Sequence, residues 1–79
     1  MKTYNNSISQ NIYNILSPLI GDIMAQGVLK SQSEKIGVTD ESIATAHLPR
    51  LSEEIRKGLV LFLGSEKAKM IAQRITELH

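Results

Sequence analysis

Apolar residues recur along this chain at steps of three and four, the spacing of one face of an α-helix. The first run comprises Ile8, Ile12, Ile15, Leu16, Leu19, Ile20, Ile23, Met24 and Gly27. Placed at about 100° per residue, it covers about half the helix circumference, wider than one neighbour needs. The pattern therefore predicts a long first helix, capped by Asn6 or Ser7, that touches two other elements. Pro18 falls inside it, removing a backbone donor and crowding the carbonyl four residues earlier. Because the stripe keeps its phase across Pro18, the expectation is one helix kinked there; the alternative is a fresh start with Ser17 as N-cap and Pro18 at the first helical position. Gly21 and Gly27 weaken the helix locally.

The polar segment "KSQSEKIGVTDES" carries turn residues, and Ile36 and Val38 are its only anchors to a core. A second helix is expected to start near Thr45, with Pro49 tolerated in its first turn. Leu48, Leu51, Ile55, Leu59 and Phe62 form its buried stripe, with Gly58 at the edge, and Glu53 and Lys57 support its wet side. Gly64 stops this helix and Ser65 caps a third, on which Ala68, Ile71, Ala72, Ile75 and Leu78 share one side. The expected fold is thus all-α: a small bundle of three main helices, the second and third joined by a tight turn at Gly64-Ser65. Residues 1–79 read as one helical domain, with 1–6 a loose tail and 31–44 a loop, and without internal repeats.

One stretch resists this assignment. In "GLVLFLGSEKAK" the apolar residues outnumber the positions that one core-facing stripe can hold. Val60 and Leu61 fall more than about 100° from the stripe centre and Leu63 at its margin. Met70 faces away from the stripe of the third helix. Around one hairpin these side chains form a patch of the kind that marks interfaces, so Val60, Leu61, Leu63 and Met70 are the expected interface.

Composition sharpens that reading. With 79 residues and 42% hydrophobic content the core is thin. The cysteine count is zero, so disulfides and thiolate zinc sites are excluded, and His47 and His79 have no companion at a ligand spacing. No metal and no cofactor are expected, and a partner subunit is the remaining means of support, most simply a twofold homodimer. A formal charge of +1 creates no field that selects nucleic acid or an anionic membrane. The N-terminus lacks a secretory pattern, and the longest apolar segment is interrupted by Asn14, Asp22 and Gln26, so the expected location is cytoplasmic.

Candidate chemistry is sparse. The carboxylates are scattered, and Asp22, the one inside an apolar segment, falls off its stripe. There is no G-x-S-x-G turn and no Gly-rich phosphate loop, and His47, near the start of a helix, reads as a surface or capping residue rather than a base. No enzyme is expected and no catalytic residue is assigned. Lys30 and Lys35 are too few, and too offset by Asp22 and Glu34, for a membrane-surface helix. The function expected from sequence is a protein–protein interaction or adaptor subunit, homodimeric, with an unidentified protein as further partner. The alternative is a dimeric DNA-binding regulator reading through Lys67, Lys69 and Arg74 on the last helix. Against it, the turn at Gly64 is shorter than a helix-turn-helix requires, Lys69 points to another side than Lys67 and Arg74, and Glu66 and Glu77 interrupt the cations.

Overall fold

The computed structural model describes residues 2–78; Met1 and His79 lie outside the described residues. Four α-helices, not three, make up the fold: α1 (Ser7–Ile20), α2 (Asp22–Lys35), α3 (Leu48–Leu63) and α4 (Ser65–Thr76), with a 3-10 turn at Thr45–His47 leading into α3. No strand is present among the described residues. The Cα radius of gyration is 11.0 Å, that of a compact chain of this length.

The correction to the helix count lies at Gly21. The expected kink at Pro18 does not end the helix, which runs through Pro18 to Ile20. Gly21 adopts φ 87° and ψ 161°, a conformation essentially reserved for glycine, and the axis turns there. This one residue closes α1 and opens α2: its N–H donates to Ser17 O (2.9 Å) and its carbonyl accepts from Ala25 N–H (2.9 Å). Gly64 does the same between α3 and α4, with φ 84° and ψ 163°. Its N–H donates to Val60 O (3.0 Å) and its carbonyl accepts from Ala68 N–H (3.1 Å). Ser65 is thus the first residue of α4 rather than its cap.

The two corners belong to a repeat, contrary to the expectation that the chain has none. Shifting the chain by 43 positions lays Gly21 on Gly64 and aligns the pattern S-x2-I-x3-L-x4-G-x3-A, read as Ser9, Ile12, Leu16, Gly21, Ala25 and again as Ser52, Ile55, Leu59, Gly64, Ala68. All eight non-glycine members are buried. Ser33 Oγ donates to Leu29 O (2.6 Å), and its counterpart Thr76 Oγ1 donates to Ala72 O (2.8 Å). Each hairpin packs its first helix on the second helix of the other, α1 on α4 and α3 on α2. The fold is two equivalent helix-glycine-helix hairpins around one core. Its largest members include Ile12, Tyr13, Leu16, Leu29, Leu51, Ile55, Leu59 and Ile75.

The equivalence fails instructively at one pair. Ser52 Oγ donates to Pro49 O (3.0 Å) and lies 3.0 Å from the Thr76 hydroxyl. Ser9 Oγ, at the matching position, is buried without a partner among the described residues. An unsatisfied buried hydroxyl is costly, whereas removing a bonded one loses its bonds. Ser9→Ala is therefore expected to leave stability unchanged or raise it by up to about 1 kcal/mol, and Ser52→Ala to lower it by about 1 kcal/mol. Urea denaturation of both variants checks the opposite signs.

The segments expected to be loose are tied down. Asn6 caps α1 as expected, accepting from Ile8 N–H (2.9 Å) and Ser9 N–H (3.0 Å), and its side-chain amide donates to Ile43 O (2.7 Å). In the expected tail, Tyr4 is buried and its ring meets Tyr13 at 5.7 Å. Burial, with Asp40 nearby, pushes the Tyr4 phenol above its usual pKa. Tyr4 N–H donates to Gln10 Oε1 (2.8 Å) and Asn5 N–H to Glu41 Oε2 (2.9 Å). Because α2 continues to Lys35 and buries Gln32 and Ser33, the loop spans residues 36–44 rather than 31–44. His47 acts as the capping group expected of it, its Nδ1 accepting from Ala44 N–H (2.9 Å). Glu53 pairs with Arg56 rather than with Lys57, which instead pairs with Glu54 at 3.2 Å.

Candidate interaction surface

Among the described residues six large apolar side chains are exposed: Leu19 (49%), Ile23 (85%), Met24 (39%), Leu61 (90%), Phe62 (61%) and Met70 (62%). All lie within six residues of Gly21 or Gly64. Four were assigned to buried faces or left unremarked by helical spacing: Leu19, Ile23 and Met24 in the first stripe and Phe62 in that of the second helix. The structure turns them outward, since each sits where its helix has reached or just left a corner and the neighbouring helices no longer cover it.

The corners stand at the same end of the molecule. Leu19, near the end of α1, joins Leu63, Met70 and Ile71 of the other hairpin in one groove of about 310 Å³, with Lys67 and Arg74 at its edges. Further along the same α1–α4 seam, Asn11, Asn14 and Ile15 meet Arg74, Glu77 and Leu78, so these two helices run antiparallel. Leu19 beside Gly21 and Leu63 beside Gly64 thus meet in one groove, and the exposed apolar residues follow the two corners along the chain.

Of the four residues expected to form an interface, Leu61 and Met70 are exposed, Leu63 is half-buried and lines the groove, and Val60 is half-buried against the core. Val60 packs against the core although its place on the wheel lies off the buried stripe, because the surface that neighbouring helices cover is wider than one stripe. The three cations of the DNA-binding alternative separate. Lys67 and Arg74 share the apolar groove, and Lys69 borders a polar one between α3 and α4 with Glu53, Arg56 and Glu66. Hydrogen bonding to Arg56 holds the Glu53 carboxyl below its ordinary pKa.

Other chemistry is dispersed. Among the described residues no group of three or more His, Cys, Asp or Glu side chains stands together as a metal site. No helix among them is long and apolar enough to cross a membrane. Asp22 begins α2 and is exposed, as expected of a solvated face, and its carboxylate helps to raise the pKa of the buried Tyr13 phenol. That phenol also accepts from Lys2 N–H (3.1 Å), which stabilises its anion, but burial and Asp22 outweigh this and raise its pKa. Both tyrosines thus serve to dock the N-terminal segment.

The sequence did carry a signal for this end of the molecule: the two L-I-G and F-L-G tripeptides, each preceding an apolar-rich start of the next helix or a methionine on its outer face. Compared with known proteins, the chain matches no family model, no curated protein and no solved structure, and its reading rests on its own residues.

Proposed function

We propose that this protein is a protein-docking module, an adaptor or regulatory subunit that binds other chains, a second copy of itself among them, through the end formed by its two glycine corners. The observation that carries the reading is that the large apolar side chains exposed among the described residues all lie within six residues of the two glycine corners, with Leu19 of one hairpin and Met70 of the other sharing one groove. Single exposed apolar residues are ordinary; a contiguous group rimmed by polar residues is the mark of an interaction site. Burying one such side chain in an interface contributes about 1.5–3 kcal/mol, so a few of them suffice to drive association of a thin-cored domain.

Leu61 is the most exposed of the group and the first to test. Because its side chain supports little of the core, Leu61→Glu is expected to stay folded while losing self-association. Sedimentation velocity over a wide concentration range reads this directly, and the melting temperature of the wild type should rise with concentration while that of the variant does not. A wild type that stays monomeric throughout, with a melt independent of concentration, would remove self-association from the proposal. A DNA-binding regulator is the competing reading, and the split between Lys69 and the Lys67–Arg74 pair weighs against it. Titration with nonspecific duplex at two salt concentrations tests it: a steep salt dependence of tight binding would favour that reading over docking.

A further inference from the structure

The groove between α1 and α4 differs from everything else at the corner end in joining an apolar floor to unpaired positive charge. Leu19, Leu63, Met70 and Ile71 form the floor. Lys67 and Arg74 stand seven residues apart on α4 and both border it. Seven residues along a helix is about 10 Å, or two turns. Among the described residues neither cation makes an ion pair; Glu77, in the adjoining groove beside Arg74, is not bonded to it.

The repeat supplies an internal comparison. The 43-position shift carries Leu19 to Phe62, Leu63 to Ile20 and Ile71 to Val28, so three of the four floor positions are apolar in both halves, while Met70 falls on Gly27. It carries Lys67 to Met24 and Arg74 to Ser31, so the charges belong to one half alone. The common scaffold does not require those cations. They are a feature of this groove.

We infer that the groove receives an acidic amphipathic helix of a partner protein, with apolar side chains seated on Leu19, Met70 and Ile71 and carboxylates two turns apart paired with Lys67 and Arg74. The inference rests on the docking reading above and adds the chemistry of the partner. A helix is the form that fits, because Lys67 and Arg74 stand two turns apart on one helix with Met70 and Ile71 between them, a spacing that a facing helix reproduces with carboxylates flanking its own apolar side chains. A residue pair between two carboxylates at i and i+7 presents its apolar face to the same track. A second copy of this chain is disfavoured as occupant: a twofold dimer centred on the groove sets Lys67 and Arg74 against their own counterparts, like charge facing like charge.

The test is selection from a displayed library of helices about 18 residues long, enough for several turns, with leucines fixed on one face and the flanking positions encoded as Glu, Gln or Lys. Wild-type protein should enrich glutamates in pairs seven apart. A selected peptide should bind Lys67→Gln/Arg74→Gln about three- to ten-fold more weakly, and lose affinity as salt rises, while Lys30→Gln/Lys35→Gln leaves it unchanged. Met70→Asp, verified as folded by its thermal melt, should abolish binding. Enrichment without glutamate, recovery of no helix, or indifference to the Lys67 and Arg74 substitutions overturns the inference. The docking reading survives any of these if the wild type self-associates and Leu61→Glu does not, and falls with it if the wild type is also monomeric.

Discussion

Leu16→Ala and Leu59→Ala should each destabilise the protein by about 2–5 kcal/mol, the cost of lost transfer energy plus a residual cavity. Both leucines are fully buried, five residues before the glycine of their own hairpin. A domain of this size is stabilised by only about 0.05–0.15 kcal/mol per residue, so either change removes a large share of the total. In thermal melts the expected drop is about 4–8 °C per kcal/mol. Equivalent packing predicts comparable losses at the two positions, and likewise for the pair Ile12→Ala and Ile55→Ala, all four sites being inaccessible to solvent. Glu53→Ala, on the exposed face of α3, should change stability little. Melts in which the four core variants matched the Glu53 variant would overturn the assignment of the core.

Gly21→Ala and Gly64→Ala should each cost about 1–3 kcal/mol, and here the cause is backbone strain alone. A Cβ at either site meets nothing within 4 Å, so no clash contributes. Both glycines hold φ near +85° with extended ψ, 87° and 161° at Gly21 and 84° and 163° at Gly64, where an L side chain crowds its own backbone. The chain is short enough for chemical assembly, and D-alanine, whose preferred dihedrals are mirrored, should restore most of the stability at each position. Gly27→Ala provides the opposite sign: this glycine lies inside α2 with open space around it, and alanine should stabilise by up to about 1 kcal/mol. If L-alanine at Gly21 or Gly64 proved as harmless as at Gly27, the corners would not be the hinges of the fold. The two corners are separate turns, so their losses should add in the double variant.

These expectations rest unequally on sequence and structure. Asn6 as a cap, the buried stripe of Leu48, Leu51, Ile55 and Leu59, and the stop at Gly64 were legible because each depends on neighbours within a turn or two of helix. Pro18 drew attention away from Gly21 for a physical reason. A proline inside a helix always costs a hydrogen bond, whereas a glycine is helical or not according to its dihedrals, and Gly27 and Gly58 are both helical here. The repeated S-x2-I-x3-L-x4-G-x3-A was present in the sequence but hidden by divergence at the surface, such as Met24 against Lys67 and Ser31 against Arg74.

By itself, then, the sequence determined the helical class, most helix ends and which residues of each helix interior face a core, since periodicity and capping are local properties of the chain. Tertiary structure decided the rest. Whether Leu19, Ile23 and Phe62 were core or surface depended on where the neighbouring helix stopped, and Tyr4 became core only because Tyr13 and the loop bearing Glu41 stood close enough to hold it. The groove of Lys67, Arg74 and Leu19 exists because two corners 43 residues apart were brought to one end, a juxtaposition set by packing across the chain and invisible to any pattern along it.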